Sequence, residues 1–130
     1  MQRKVKILLY GSTAECRRTA ELLHTVEHLS EHHVECNQTD DEEIFVQQLV
    51  GWNPSLVIVL ADGADGMECV TQTKLRLPDT PVFWFSDDRR FGMHAYRVNC
   101  AYFSVKPVEH KSLGSAFQRC DHVGIRYETT

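Results

Sequence analysis

The chain has 130 residues and a mass of 15.0 kDa, enough for one ordinary domain and too little for two. Its formal net charge of −4 and pI near 5.9 give it no global attraction to nucleic acid or to anionic lipid. With 42% hydrophobic and 25% charged residues the balance is globular, and its apolar runs fall far short of the roughly 20 residues that span a bilayer, so the expectation is a soluble, cytoplasmic domain with no membrane segment.

Short apolar runs alternate with helical patterns. Residues 5–10 (VKILLY) read as a buried strand ended by Gly11. Ser12 with Glu15 has capping-box spacing and opens a helix. That helix carries Cys16, Ala20, Leu23 and Val26 on one stripe and is expected to run to about Ser30. Residues 33–36 form a short second strand, and Asp40 with Glu43 gives another capping box for a helix that stops at Gly51. Residues 56–61 (LVIVLA) are apolar on both faces, as a central parallel strand requires. A loop with two Asp-Gly pairs (Asp62-Gly63 and Asp65-Gly66) leads to a helix ending near Arg76. A fourth strand at residues 82–85 (VFWF), a shorter helix from about Phe91 to Val98 and a fifth strand at residues 102–105 follow. Pro107 then leads into a last helix with Leu113, Ala116 and Phe117 inward, and residues 123–130 carry no pattern.

Five strands alternating with five helices predict an α/β fold: a single doubly wound (βα)5 domain around a five-stranded parallel sheet, of flavodoxin-like topology. Sites in such sheets lie at the carboxyl ends of the strands. The residues there are Gly11-Ser12-Thr13, Asp62-Gly63, Ser86-Asp87-Asp88 and Lys106-Pro107.

Three features between Pro54 and Cys120 form a recognisable set: Asp65-Gly66-Met67-Glu68 opening a helix, Pro78-Asp79-Thr80-Pro81 before a strand that ends in Ser86, and the stretch Ala95, Val98-Asn99-Cys100-Ala101, Phe103, Lys106-Pro107. Together they resemble the receiver domain of two-component response regulators. The Val-Asn version of the last motif is similar to receivers of LytTR-type regulators. The resemblance implies a receiver-like domain over residues 1–122, followed by a tail over 123–130.

A working receiver, as the resemblance implies, phosphorylates an Asp at the end of the third strand. A divalent cation held by acidic residues after the first strand assists. A hydroxyl residue and a Lys after the fourth and fifth strands contact the phosphoryl oxygens. Ser86 and Lys106 match the last two positions, whereas Gly11-Ser12 stands where the acidic pair would be. The acceptor position falls either on Leu60, where it is lost, or on Asp62. The Leu60 alignment needs the shorter gap. The expectation is therefore an atypical receiver without conventional Mg²⁺-dependent phosphorylation, neither an enzyme nor a metal or cofactor protein. It acts through a protein partner or a homodimer on the face of the fourth helix, fifth strand and fifth helix, with Tyr96, Arg97, Tyr102 and Phe103 among the contact residues.

Other constellations are weaker. Tyr10-Gly11-Ser12-Thr13 and Thr19-Ala20-Glu21 resemble the start of a flavodoxin, implying a flavin-binding electron carrier as an alternative. However, Ala14, Glu15 and Arg17 replace the Thr, Gly and Thr of that phosphate loop. His24, His28 and His32 fall at helical spacing and could offer a metal-binding pair, or simply a solvated face. The five cysteines (Cys16, Cys36, Cys69, Cys100 and Cys120) never form a CxxC pair and read as small buried hydrophobes. No Ser-His-Asp or Cys-His arrangement and no Gly-rich nucleotide loop is legible.

Overall fold

A computed structural model describes residues 3–120 together with 125, 128 and 129. The elements are β1 (Arg3–Tyr10), α1 (Thr13–Leu23), β2 (His32–Thr39), α2 (Glu42–Gly51), β3 (Leu56–Val59), α3 (Gly63–Arg76), β4 (Val82–Ser86), α4 (Gly92–Arg97), β5 (Tyr102–Val105), α5 (His110–Cys120) and β6 (Glu128–Thr129). Single 3-10 turns at Glu27–Leu29 and Arg89–Phe91 precede β2 and α4. The first five strands are parallel in the order β2-β1-β3-β4-β5, the doubly wound order expected.

The period-two alternation of the strands divides the core between the two faces. Val5, Ile7 and Leu9 of β1, Ile58 of β3, and Phe83 and Phe85 of β4 pack under Cys16 and Leu23 of α1 and Leu113, Ala116 and Phe117 of α5. Leu8 and Tyr10, Val57 and Val59, and Val82 and Trp84 face Phe45 and Leu49 of α2, Cys69 and Val70 of α3, and Ala95 of α4. Both faces of β3 are fully buried, as its unbroken apolar run requires.

Several boundaries depart from expectation. The first helix stops at Leu23 because Thr25 directs both its N–H (2.9 Å) and its hydroxyl (2.7 Å) to the Leu22 carbonyl, and Val26 is extended. His24 is therefore the helix C-cap, His28 lies in the 3-10 turn against Phe117, and His32 begins β2. The three histidines do not share a helix face. The cap of α2 is Asp41, whose carboxylate accepts from the Ile44 N–H at 3.0 Å, and not Asp40. The third helix begins at Gly63, so Asp65-Gly66 lies inside its first turns and not in a loop.

The expected tail falls mostly outside the described residues, as does the domain boundary at 122. Within it, Glu128 and Thr129 pair antiparallel with Lys4 and Arg3, beside the part of β1 that β3 does not reach. Asn53 and Asn99 hold positive φ after α2 and α4. This left-handed closure explains why Asn serves at the Val98-Asn99 motif where Gly is the commoner choice.

Candidate functional site

The carboxyl ends of β1, β3, β4 and β5 meet at one end of the sheet. β1 ends at Tyr10, and Gly11 continues it with its N–H on the Thr39 carbonyl (3.1 Å). A Cβ on Gly11 would stand 2.8 Å from the Leu60 side chain, so only glycine lets the two strand ends approach this closely. Ser12 caps α1: its Oγ accepts from the Glu15 N–H at 3.2 Å, and its hydroxyl donates to Glu15 Oε1 at 3.1 Å. The expected capping box is present, and it aims the Glu15 carboxylate over the strand ends.

Leu60 is 1% exposed and packs into the α1/α5 core, with its N–H on the Tyr10 carbonyl (2.7 Å). Asp62, two residues on, is the N-cap position of α3, and its Oδ1 accepts from the Asp87 N–H at 2.9 Å. Loop β3–α3 is held by a second contact. Trp84 donates its indole N–H to the Ala61 carbonyl at 2.9 Å, and Gly66 fits against both groups.

From β5, Lys106 precedes a cis Pro107 and donates from Nζ to Glu15 Oε2 at 2.6 Å and to Asp62 Oδ1 at 3.1 Å. Its side chain is only 17% exposed. Burial alone would lower the amine, but the Glu15 and Asp62 carboxylates outweigh it and hold the ammonium above the ordinary lysine range. The cluster is thus one cation between two carboxylates drawn from three elements.

Ser86 is fully buried, and its Oγ accepts from the Asp88 N–H at 3.2 Å, so the hydroxyl closes the turn after β4. Asp88 caps the following 3-10 turn and forms a fork with Arg90 at 2.7–3.0 Å. The Arg90 side chain holds the Asp88 carboxyl below its usual value. Asp88 therefore does the work of a helix start.

The structure brings Gly11, Ser12, Asp62 and Lys106 together, and adds Glu15, which the sequence reading placed only in a capping box and in a flavodoxin comparison. The signal was available, since a cap glutamate one turn into a helix that starts at a strand end must lie over that end. On the neighbouring face, Tyr96 is 81% exposed and Arg97 is exposed, while Tyr102 and Phe103 are half-buried against Phe83 and Trp84. No group of three metal-ligating side chains occurs among the described residues, and no described helix is long and apolar enough to cross a membrane.

Fold and strand-end geometry together define an α/β domain with the flavodoxin-like receiver architecture. No family model and no curated protein matches the chain in sequence. Solved structures match it in fold. The signal receiver domain of an HD domain-containing protein from Pseudomonas fluorescens Pf-5 superposes with a TM-score of 0.73 at 19% identity, over 93% of this chain and 98% of that one. The chemotaxis protein CheY4 of Vibrio cholerae gives 0.71 at 16% identity, over 89% and 98%. A protein assigned to pilus assembly (CpaE2) in Sinorhizobium meliloti 1021 gives 0.71 at 19% identity, over 89% and 99%. At such identities the likeness is one of fold.

Proposed function

We propose that this chain is a signalling domain of receiver architecture that works by protein–protein contact, without conventional Mg²⁺-dependent aspartyl phosphorylation. The observation that carries this reading is the state of Lys106. Its ammonium, the group that in a working receiver would meet a phosphoryl oxygen, is already neutralised by Glu15 and Asp62. Gly11 and Ser12, which stand where a working receiver carries its acidic pair, supply no carboxylate to hold a hard cation, and the Glu15 and Asp62 carboxylates nearby are both engaged by Lys106. The contact surface in this reading is the α4–β5–α5 face, with Tyr96, Arg97, Tyr102 and Phe103. Structural neighbours named for chemotaxis and for pilus assembly support a contact role.

The test is the intact mass of wild type and Asp62→Asn after incubation with acetyl phosphate and Mg²⁺. The expected result is no adduct on either protein. A phosphoryl adduct on wild type that disappears in Asp62→Asn would overturn the reading.

One observation favours a second reading, a phosphorylatable receiver using Asp62 in a rearranged site. The Asp62 side chain is 43% exposed and lies in direct contact with Lys106, so a donor can reach it and the amine stands beside it. The same mass measurement decides between the two. The flavodoxin alternative has less support, because the first loop commits the Gly11 and Glu15 N–H groups internally and places the Glu15 carboxylate beside them. A purified protein with flavin absorbance would reverse that judgement.

A further inference from the structure

We propose that Glu15 is a built-in anion latch: its carboxylate holds Lys106 in the arrangement that a small bound oxyanion would otherwise impose, and so fixes the state of the strand ends without a ligand. This rests on the contact reading above and names what regulates that same site. Lys106 follows β5 with its side chain 17% exposed. An ammonium so far removed from water depends on the anions around it, and losing one leaves its charge poorly compensated. Of its two carboxylates Glu15 is the nearer, at 2.6 Å against 3.1 Å for Asp62. The two differ in what else they hold. Asp62 Oδ1 also accepts from the Asp87 N–H at 2.9 Å, so it ties Lys106 to the loops after β3 and β4. Glu15 is held at both oxygens, Oε1 by the Ser12 hydroxyl at 3.1 Å and Oε2 by Lys106, and so ties the start of α1 to the end of β5.

A cleft of about 400 Å³ opens beside this pair, lined by Glu15, Arg18 and Thr19 of α1 and by Lys106, Pro107 and Val108. Its walls therefore bring the Lys106 ammonium and the Arg18 guanidinium together with the Glu15 carboxylate. As the chain stands, Glu15 already fills the anion's place on Lys106 and repels a second anion from the cleft. Neutralising Glu15 removes that negative charge and leaves both cations and the space beside them, which is what a small oxyanion selects. The latch thus has two forms. It is closed by Glu15 in the natural sequence, and after neutralisation it is open until an oxyanion closes it again. The capping box makes the closed form permanent, because the same Ser12 that starts α1 fixes the direction of the Glu15 side chain.

The experiment titrates inorganic phosphate into wild type, Glu15→Gln and Glu21→Gln, followed by amide ¹H–¹⁵N spectra. Chloride at matched ionic strength is the reference, and no Mg²⁺ or phosphodonor is present. Glutamine serves a capping box as glutamate does and removes only the charge, while Glu21 is an exposed carboxylate of the same helix. In chloride, Glu15→Gln is expected to move the Asp62 and Lys106 amide signals. Phosphate, saturating in the millimolar range, should return them at least about halfway to their wild-type positions. Wild type and Glu21→Gln should respond to phosphate no more than to chloride. Thermal melts by circular dichroism should agree, with phosphate stabilising Glu15→Gln alone. Amide signals that Glu15→Gln leaves unmoved, or that phosphate does not return, overturn the proposal. So does a saturable phosphate response of wild type or of Glu21→Gln. A Glu15→Gln chain unfolded in chloride and in phosphate alike also overturns it, since the charge is then not replaceable by an ion. Any of these failures, with no adduct by mass, sinks the latch and leaves the contact reading standing. An adduct on wild-type Asp62 instead sinks the contact reading, and the latch with it.

Discussion

Lys106 lies between two carboxylates with its side chain 17% exposed, and its raised pKa is a statement about stability. A group whose folded-state pKa lies above the unfolded value stabilises the fold fully below the unfolded value, here the ordinary 10.5, and loses that contribution as pH rises through the higher folded value. The stability difference between wild type and Lys106→Met, measured by urea melts, should be constant between about pH 7 and 9 and shrink only on the alkaline side of the ordinary lysine value. A difference that already declines between pH 7 and 9 would contradict the ion cluster. The thiols make a second residue-scale test. Burial pushes Cys16, Cys36 and Cys100 up to about 11 and Cys69 up to about 12. Native protein treated with iodoacetamide near pH 8 should leave these four unmodified, and urea-unfolded protein should alkylate all five cysteines, both read by mass.

Among the elements, α3 is the one whose position depends on a single small residue. A Cβ on Gly66 would stand 2.2 Å from the Ala61 carbonyl oxygen and 2.5 Å from Trp84 Nε1, the two groups that bond each other. Gly66→Ala should therefore cost about 3 kcal/mol, the upper end for overpacking, and disturb tryptophan fluorescence. The half-buried Gly114 of α5, whose Cβ would meet nothing within 4 Å, should instead gain slightly from the same change. Melts in urea of both variants check this. Element boundaries were less legible than element types. The apolar stripe of α1 continues to Val26, but Thr25 turns back on the Leu22 carbonyl, a local competition that hydrophobic spacing does not register. Choosing Asp40 over Asp41 as the cap of α2 failed for a related reason, because adjacent acidic residues compete for one cap and only the backbone geometry selects.

For the molecule as a whole, hydrophobic periodicity carried most of the information. Period-two alternation in β1 and β4 and the unbroken run in β3 state which residues face which helices, since a buried backbone must pair and an apolar face must be covered. The parallel order and the site at the strand ends follow from that pattern, and so did the candidates Gly11, Ser12, Asp62, Ser86 and Lys106. Their partnerships did not follow, because they are tertiary. Glu15 reaches Lys106 only since the capping box of α1 aims it across the end of β1, and the Ser86 hydroxyl is consumed by its own turn. The cleft beside Glu15 is tertiary as well: Arg18 and Lys106 share it only because α1 packs against the end of β5. Patterns of burial are written locally, one residue after another, whereas the neighbours of a charge are set by chain crossings far apart in sequence. That is why the architecture could be read from 130 letters, while the ion cluster and the cleft beside it required the folded chain.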